Sequence, residues 1–106
     1  LAGWLLLSFP AWCWAGIPTP PRQAELLYML EQDCGSCHGL RRAGGLGPPL
    51  TPEALAGKPP QYLEATISHG RPGTPMPPWQ PFMTDAEVSW LVEQLLNPYP
   101  AETSRP

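Results

Sequence analysis

The sequence predicts a small all-α domain of about four short helices joined by proline-rich loops. Three observations point there. Only two valines and two isoleucines occur in 106 residues, and β-sheets are built mainly on β-branched side chains. Apolar residues recur at helical spacing in residues 23–33 and 84–96, and neither stretch contains glycine or proline. The 17 prolines and 10 glycines make up about a quarter of the chain and fall mostly between those stretches.

The length allows one domain. With 6 basic and 9 acidic residues the formal charge is −3, which argues against nucleic acid as a partner. Residues 1–15 carry no charge. Leu5, Leu6, Leu7 and Phe9 form an apolar run that Pro10 interrupts before Trp12-Cys13-Trp14-Ala15. This pattern fits a secretory signal, truncated at its start and cleaved after Ala15. A retained anchor is the competing reading, but a membrane span needs about 20 apolar residues and the run here is short and broken. A lipidated Cys13 is disfavoured, because Trp12 is too bulky for the small residue that precedes such a cysteine. Cleavage removes Cys13 and leaves only Cys34 and Cys37, so the exported chain has no odd cysteine. It also leaves the chain poorer in apolar residues, and domains this small are already marginal. Something besides side chains has to fill the centre.

Along the remaining chain, residues 16–22 read as an extended leader. From Gln23 to Asp33 the pattern is helical, with Leu27, Leu30 and Cys34 on one face and Leu26 and Met29 widening it. Residues 38–50 form a loop turned by Gly39, Gly44, Gly45, Gly47, Pro48 and Pro49. Thr51-Pro52-Glu53 supplies an N-cap, a first-turn proline and a first-turn acid, and Gly57 and Pro59 keep that helix short. A third helix is expected from Pro60 through Leu63 and Ile67 to His69, stopped by Gly70. Residues 71–83 hold five prolines and are expected to form neither helix nor ladder. Thr84-x-x-Glu87 is a capping box. Behind it Val88, Leu91, Val92, Leu95 and Leu96 make the cleanest amphipathic stripe, ended by Asn97-Pro98. Residues 98–106 read as a loose tail, which leaves 23–97 as the folded domain.

The chemistry lies in Cys34-Gly35-Ser36-Cys37-His38, the C-x-x-C-H signature of covalent haem c attachment. Two thiols at i and i+3 on a helical turn can add to the two vinyl groups of one porphyrin. His38 then lies under the iron as proximal ligand, and the small Gly35 and Ser36 let the macrocycle approach. A thioredoxin-like redox pair needs a βαβ setting that is missing. A zinc site of Cys34, Cys37, His38 and His69 suits a tetrahedral ion poorly, because Cys37 and His38 are consecutive. A disulfide across so short a loop would add little stability. Candidates for the sixth iron ligand are Met29, His69, Met76 and Met83. Met29 lies on the first helix, Met83 is placed to be a hydrophobic staple, and His69 ends a helix. Met76 is favoured, because Pro75 and Pro77 can hold it at low entropic cost, and thioether ligation suits electron transfer.

The pattern resembles the class I c-type cytochromes over residues 23–97: a helix running into C-x-x-C-H, a Gly-Pro-x-Leu segment, a Met-Pro loop and a C-terminal helix. The resemblance implies the small class I cytochrome c fold around one covalently attached haem. It also implies that Pro48, in Gly47-Pro48-Pro49-Leu50, packs on the proximal histidine and accepts its ring N–H. In that family the first helix usually carries a glycine and an aromatic residue where it crosses the last. Here it offers Ala24 and Tyr28, and Trp90 is expected to supply the bulk. Three longer strings, Gln32 to Gly39, Gly44 to Leu55 and Gly70 to Trp79, are similar to the small cytochrome c55X (NirC type) of denitrification gene clusters. That resemblance implies a periplasmic mono-haem electron carrier, not an enzyme. Its redox partners would be cytochrome cd1 nitrite reductase, as electron recipient, or the haem d1 maturation enzyme, as electron source. The carrier is expected to be monomeric and free of the membrane once the signal is cleaved. Two alternatives stay open: a generic class I cytochrome serving another periplasmic enzyme, and a haem enzyme or sensor with a labile sixth ligand.

Arg41, Arg42 and Arg71 come from the two loops expected to flank the haem, whereas Glu25, Glu31, Asp85, Glu87 and Glu93 lie on helices. The haem edge can therefore be neutral or weakly basic in an acidic protein. Equally, these arginines can serve only to solvate loops or contact propionates. Without haem the chain is expected to be largely unfolded.

Overall fold

The computed structural model describes residues 3–5 and 16–97. The expected signal segment, apart from residues 3–5, and the tail 98–106 lie outside the described residues. Among the described residues every regular element is helical. Helix α1 (Pro20–Met29) runs through a π-turn (Leu30–Cys34) into α2 (Gly35–His38), so one continuous rod leads into the C-x-x-C-H motif. Helices α3 (Pro52–Leu55), α4 (Pro60–His69) and α5 (Asp85–Leu96) follow, with a single 3₁₀ turn at Gln80–Phe82. No helix of the described residues is long and apolar enough to cross a membrane.

Three prolines sit at helix starts, where the missing N–H costs nothing. The first of them corrects the expected leader. Helix α1 begins at Pro20, three residues earlier than the periodicity indicates, because Pro20 and Pro21 have a fixed φ suited to the first turn and Gln23 N–H already bonds Thr19 O at 2.8 Å. The same tolerance explains the 3₁₀ turn inside 71–83, whose Pro81 occupies an initial position. The Thr51 cap forms, accepting the Ala54 N–H at 3.2 Å. The Thr84 capping box is reciprocal: Thr84 Oγ1 accepts from Glu87 N–H at 3.2 Å and Glu87 Oε1 accepts from Thr84 N–H at 2.9 Å.

The core comprises Leu26, Leu30, Leu55, Leu63, Met83, Val88, Leu91, Val92 and Leu95. Helices α4 and α5 pack on each other, and α1 and α3 each lean on α5. The α5 stripe is buried as its spacing predicts, with Leu96 half-buried at the end. The α1 stripe is different. Leu26 and Leu30 are buried and Leu27 is exposed. The π-turn explains the change of face: Gly35 N–H bonds Leu30 O, a five-residue step, so Leu26, Leu30 and Cys34 stay aligned at intervals of four. Tyr28 is 65 % exposed and Ala24 is exposed too, so the helix crossing is made by leucines. Trp90 is partly buried against the core.

Arg22 ties α1 to the start of α5. Its guanidinium donates to Glu87, to Glu25 Oε2 at 2.9 Å and to Phe82 O at 2.7 Å. The bond from Arg22, with the Thr84 backbone N–H second, holds the Glu87 carboxyl below its ordinary value. Glu87 thus serves both the cap of its own helix and an ion pair 65 residues away in sequence.

Candidate haem site

The rod delivers Cys34 from the π-turn and Cys37 and His38 from α2, all three half-buried. Cys34 packs against the core cluster. Both cysteines are free thiols. Burial, with the Asp33 charge second, pushes the Cys34 thiol up to about 11. The Ser36 hydroxyl donates to Asp33 O at 2.7 Å and lies 3.9 Å from Cys37 Sγ.

The loop after the motif folds back on His38 through its own backbone. Gly44 N–H donates to His38 O and Gly47 N–H to Cys37 O, both at 2.8 Å, and Leu50 N–H donates to Arg42 O at 2.9 Å. This brings Pro48 O to 2.7 Å from His38 Nδ1. A carbonyl can only accept, so Nδ1 carries the proton and Nε2 keeps its lone pair for a metal. Gly47 lies against the ring itself. A Cβ at that position would sit 2.7 Å from His38 Cε1 and Nδ1, which leaves no room for any side chain. The bond that the resemblance implies for Pro48 is therefore present, and the glycine before it is needed for the approach.

The four candidates for the far side of the iron lie in different surroundings. Met83 is 5 % exposed in the core, next to the Thr84 cap; with Val88 in the same cluster it occupies the positions of a hydrophobic staple. Met29 is partly buried against that cluster, and His69 is exposed at the end of α4. Met76 is half-buried in the proline loop. Its carbonyl accepts from Arg71 N–H at 3.2 Å, and Trp79 N–H bonds Ile67 O at 2.9 Å, so the loop is strapped across the end of α4. Trp79 is half-buried against the core, with its ring centroid 5.9 Å from that of Phe82.

Of the three flanking arginines, Arg41 and Arg71 are exposed. Arg42 is half-buried and adopts a positive φ of 58° where its loop turns. Among the described residues no group of three or more His, Cys, Asp or Glu side chains converges on one point, as a zinc site would require. The donor set that does exist, two unpaired thiols at i and i+3 followed by an imidazole with Nε2 free, fits haem c.

Comparisons with known proteins agree. Residues 21–94 match the protein family described as cytochrome c oxidase, cbb3-type, subunit III. Cytochrome c55X of Stutzerimonas stutzeri is 57% identical over 86 residues, which cover 81% of this chain and 76% of that one. The chain belongs to this family of c-type cytochromes, in its c55X branch. A solved c-type cytochrome NirC superposes with a TM-score of 0.73 at 58% identity, covering 74% of this chain and 93% of that one. The dihydro-heme d1 dehydrogenase of Pseudomonas aeruginosa is 41% identical over 78 residues, covering 74% of this chain but only 15% of the enzyme. This cytochrome carries one covalently bound haem c, as its family implies.

Proposed function

We propose that this cytochrome is a periplasmic one-electron carrier of denitrification. In this reading it delivers electrons to cytochrome cd1 nitrite reductase, accepts them during haem d1 maturation, or does both. The observation that carries the reading is 57% identity over most of the chain to a cytochrome c55X, with the His38–Pro48 bond in place. The acceptor role has further support. A dihydro-heme d1 dehydrogenase contains a segment similar to this chain, so a domain of this kind already occurs beside that enzyme's chemistry.

The haem iron supplies a site that gains and loses one electron. Cys34 and Cys37 would hold the macrocycle through thioether bonds, and His38 would bind the iron through Nε2. Pro48 O orients the ring and raises its basicity by accepting from Nδ1. Met76 would serve as the second protein ligand, presented by a loop that proline stiffens on both sides. Ligands held by such stiff backbone would rearrange little when an electron is gained or lost, which is the requirement for a carrier.

Stopped-flow mixing tests the partners. Reduced protein is expected to be oxidised rapidly by cytochrome cd1 nitrite reductase, or oxidised protein to be reduced by the dehydrogenase with its dihydro-haem substrate. Slow transfer in both arms would sink the assignment to denitrification. Spectra test the ligands: low-spin iron is expected in both oxidation states, with Met76→Ala producing a high-spin form. A wild type that is high-spin and open to added ligands would instead indicate a haem enzyme or sensor.

A further inference from the structure

The Met76 loop is closed by one hydroxyl. Arg71-Pro72-Gly73-Thr74 is a β-turn with Thr74 N–H bonded to Arg71 O at 3.0 Å. Proline at its second position and Gly73 at φ 80° in the third give it the type II pattern. Thr74 Oγ1 then bonds in two directions. It donates to Arg71 O at 2.6 Å and accepts from Met76 N–H at 3.3 Å. The Met76 carbonyl is held in turn by Arg71 N–H at 3.2 Å. It also presses on Gly70, where a Cβ would meet Met76 O at 2.7 Å and the Pro77 carbonyl carbon at 2.8 Å. Both backbone polar groups of Met76 are thus engaged within its own loop, and Thr74 supplies the partner for one of them.

We infer that Thr74 is a positioning residue, whose hydroxyl latches the Met76 loop and sets how often the sixth position of the iron opens. The inference rests on the reading of Met76 as that ligand. An added ligand such as imidazole binds only the open form, so its apparent affinity scales with the open population. Removing a net hydrogen bond from the closed form should raise that affinity about five- to tenfold.

The test is imidazole titration of the ferric haem-loaded protein in wild type, Thr74→Val, Thr74→Ser and Met76→Ala. Valine keeps the branched shape and removes the hydroxyl; serine keeps the hydroxyl and removes the methyl. Thr74→Val is expected to bind imidazole about five- to tenfold more tightly than wild type. Thr74→Ser is expected to stay within about twofold. Thr74→Ala provides the same reading if the valine variant does not accumulate. Two results would overturn the latch: wild-type affinity in Thr74→Val, or an equal rise in Thr74→Ser, which would credit the methyl group. A Met76→Ala protein with wild-type spectrum and affinity would show that Met76 is not the ligand. Failure of the ligand assignment is thereby told apart from failure of the latch.

Discussion

The two sides of the site are built by opposite means. Around His38, between Cys34 and Leu50, the chain relies on glycine: the loop comes close enough to bond its own backbone, and Gly47 fits flat against the imidazole ring. Around Met76, between Gly70 and Trp79, it relies mainly on proline, and short bridges strap the backbone across the end of α4. The difference follows from what each side chain would need as the proposed iron ligand. An imidazole must be fixed in rotation, which takes a hydrogen bond to its second nitrogen and a surface to lie on. A thioether has no such handle, so its position has to be set through the main chain on either side of it.

The largest expected effect removes the reason for both sides. The double substitution Cys34→Ala, Cys37→Ala should abolish covalent haem, seen as loss of haem staining on a denaturing gel. It should also abolish the cooperative thermal transition followed by circular dichroism. A sharply melting haem-free protein would show that the nine-residue apolar core suffices alone.

Gly70→Ala and Gly47→Ala then probe the two sides separately. Gly70 has φ 68°, and an added methyl would meet the Met76 and Pro77 backbone and Pro78 N within 2.9 Å. That backbone cannot give way as a side chain does. A cost of ~2–4 kcal/mol is expected in denaturant midpoint, together with loss of the sulfur–iron charge-transfer band. Gly47→Ala crowds a ring instead, and should cost about 1–3 kcal/mol while retaining that band and shifting the reduction potential. If both variants kept the band, the proposed division of labour would be wrong.

The Arg22–Glu87 pair lies away from both ligand loops and serves as the control. Arg22→Ala should lower stability by ~1–2 kcal/mol and leave the haem spectrum unchanged. Because Glu87 is held below the ordinary carboxylate value, its stabilisation is full above that value. It is lost as pH falls through the lowered folded-state value. Glu87→Gln should therefore flatten the acid limb of a urea-midpoint profile below the ordinary carboxylate range. The smallest effect is expected at the rim: Arg41→Ala should slow reaction with a redox partner about two- to threefold at low salt and not at high salt.

The motif residues were legible because their chemistry is local. Cys34, Cys37 and His38 lie within five positions, and their spacing on a helical turn states their use before any folding is considered. The caps at Thr51 and Thr84, the α5 stripe and the stop at Gly70 were equally local, and the structure has each of them. The buried face of α1 was not legible. Leu26 and Leu27 both begin reasonable stripes, and only the π-turn, which alters the step into Cys34, selects Leu26. Arg22 gave no sign of its role, since Glu87 lies on a helix 65 residues away and neither residue's spacing points to the other.

The sequence by itself indicated most of the helices, their caps and the candidate haem-attachment motif, because each depends on neighbours within about one helical turn. Only the tertiary structure decided which side of α1 is buried and which arginine joins the first helix to the last. It likewise decided that Met83 is buried in the core and Met76 only half-buried. Those choices depend on packing between segments far apart in the chain, where several apolar or charged residues compete for one place and shape settles which fits.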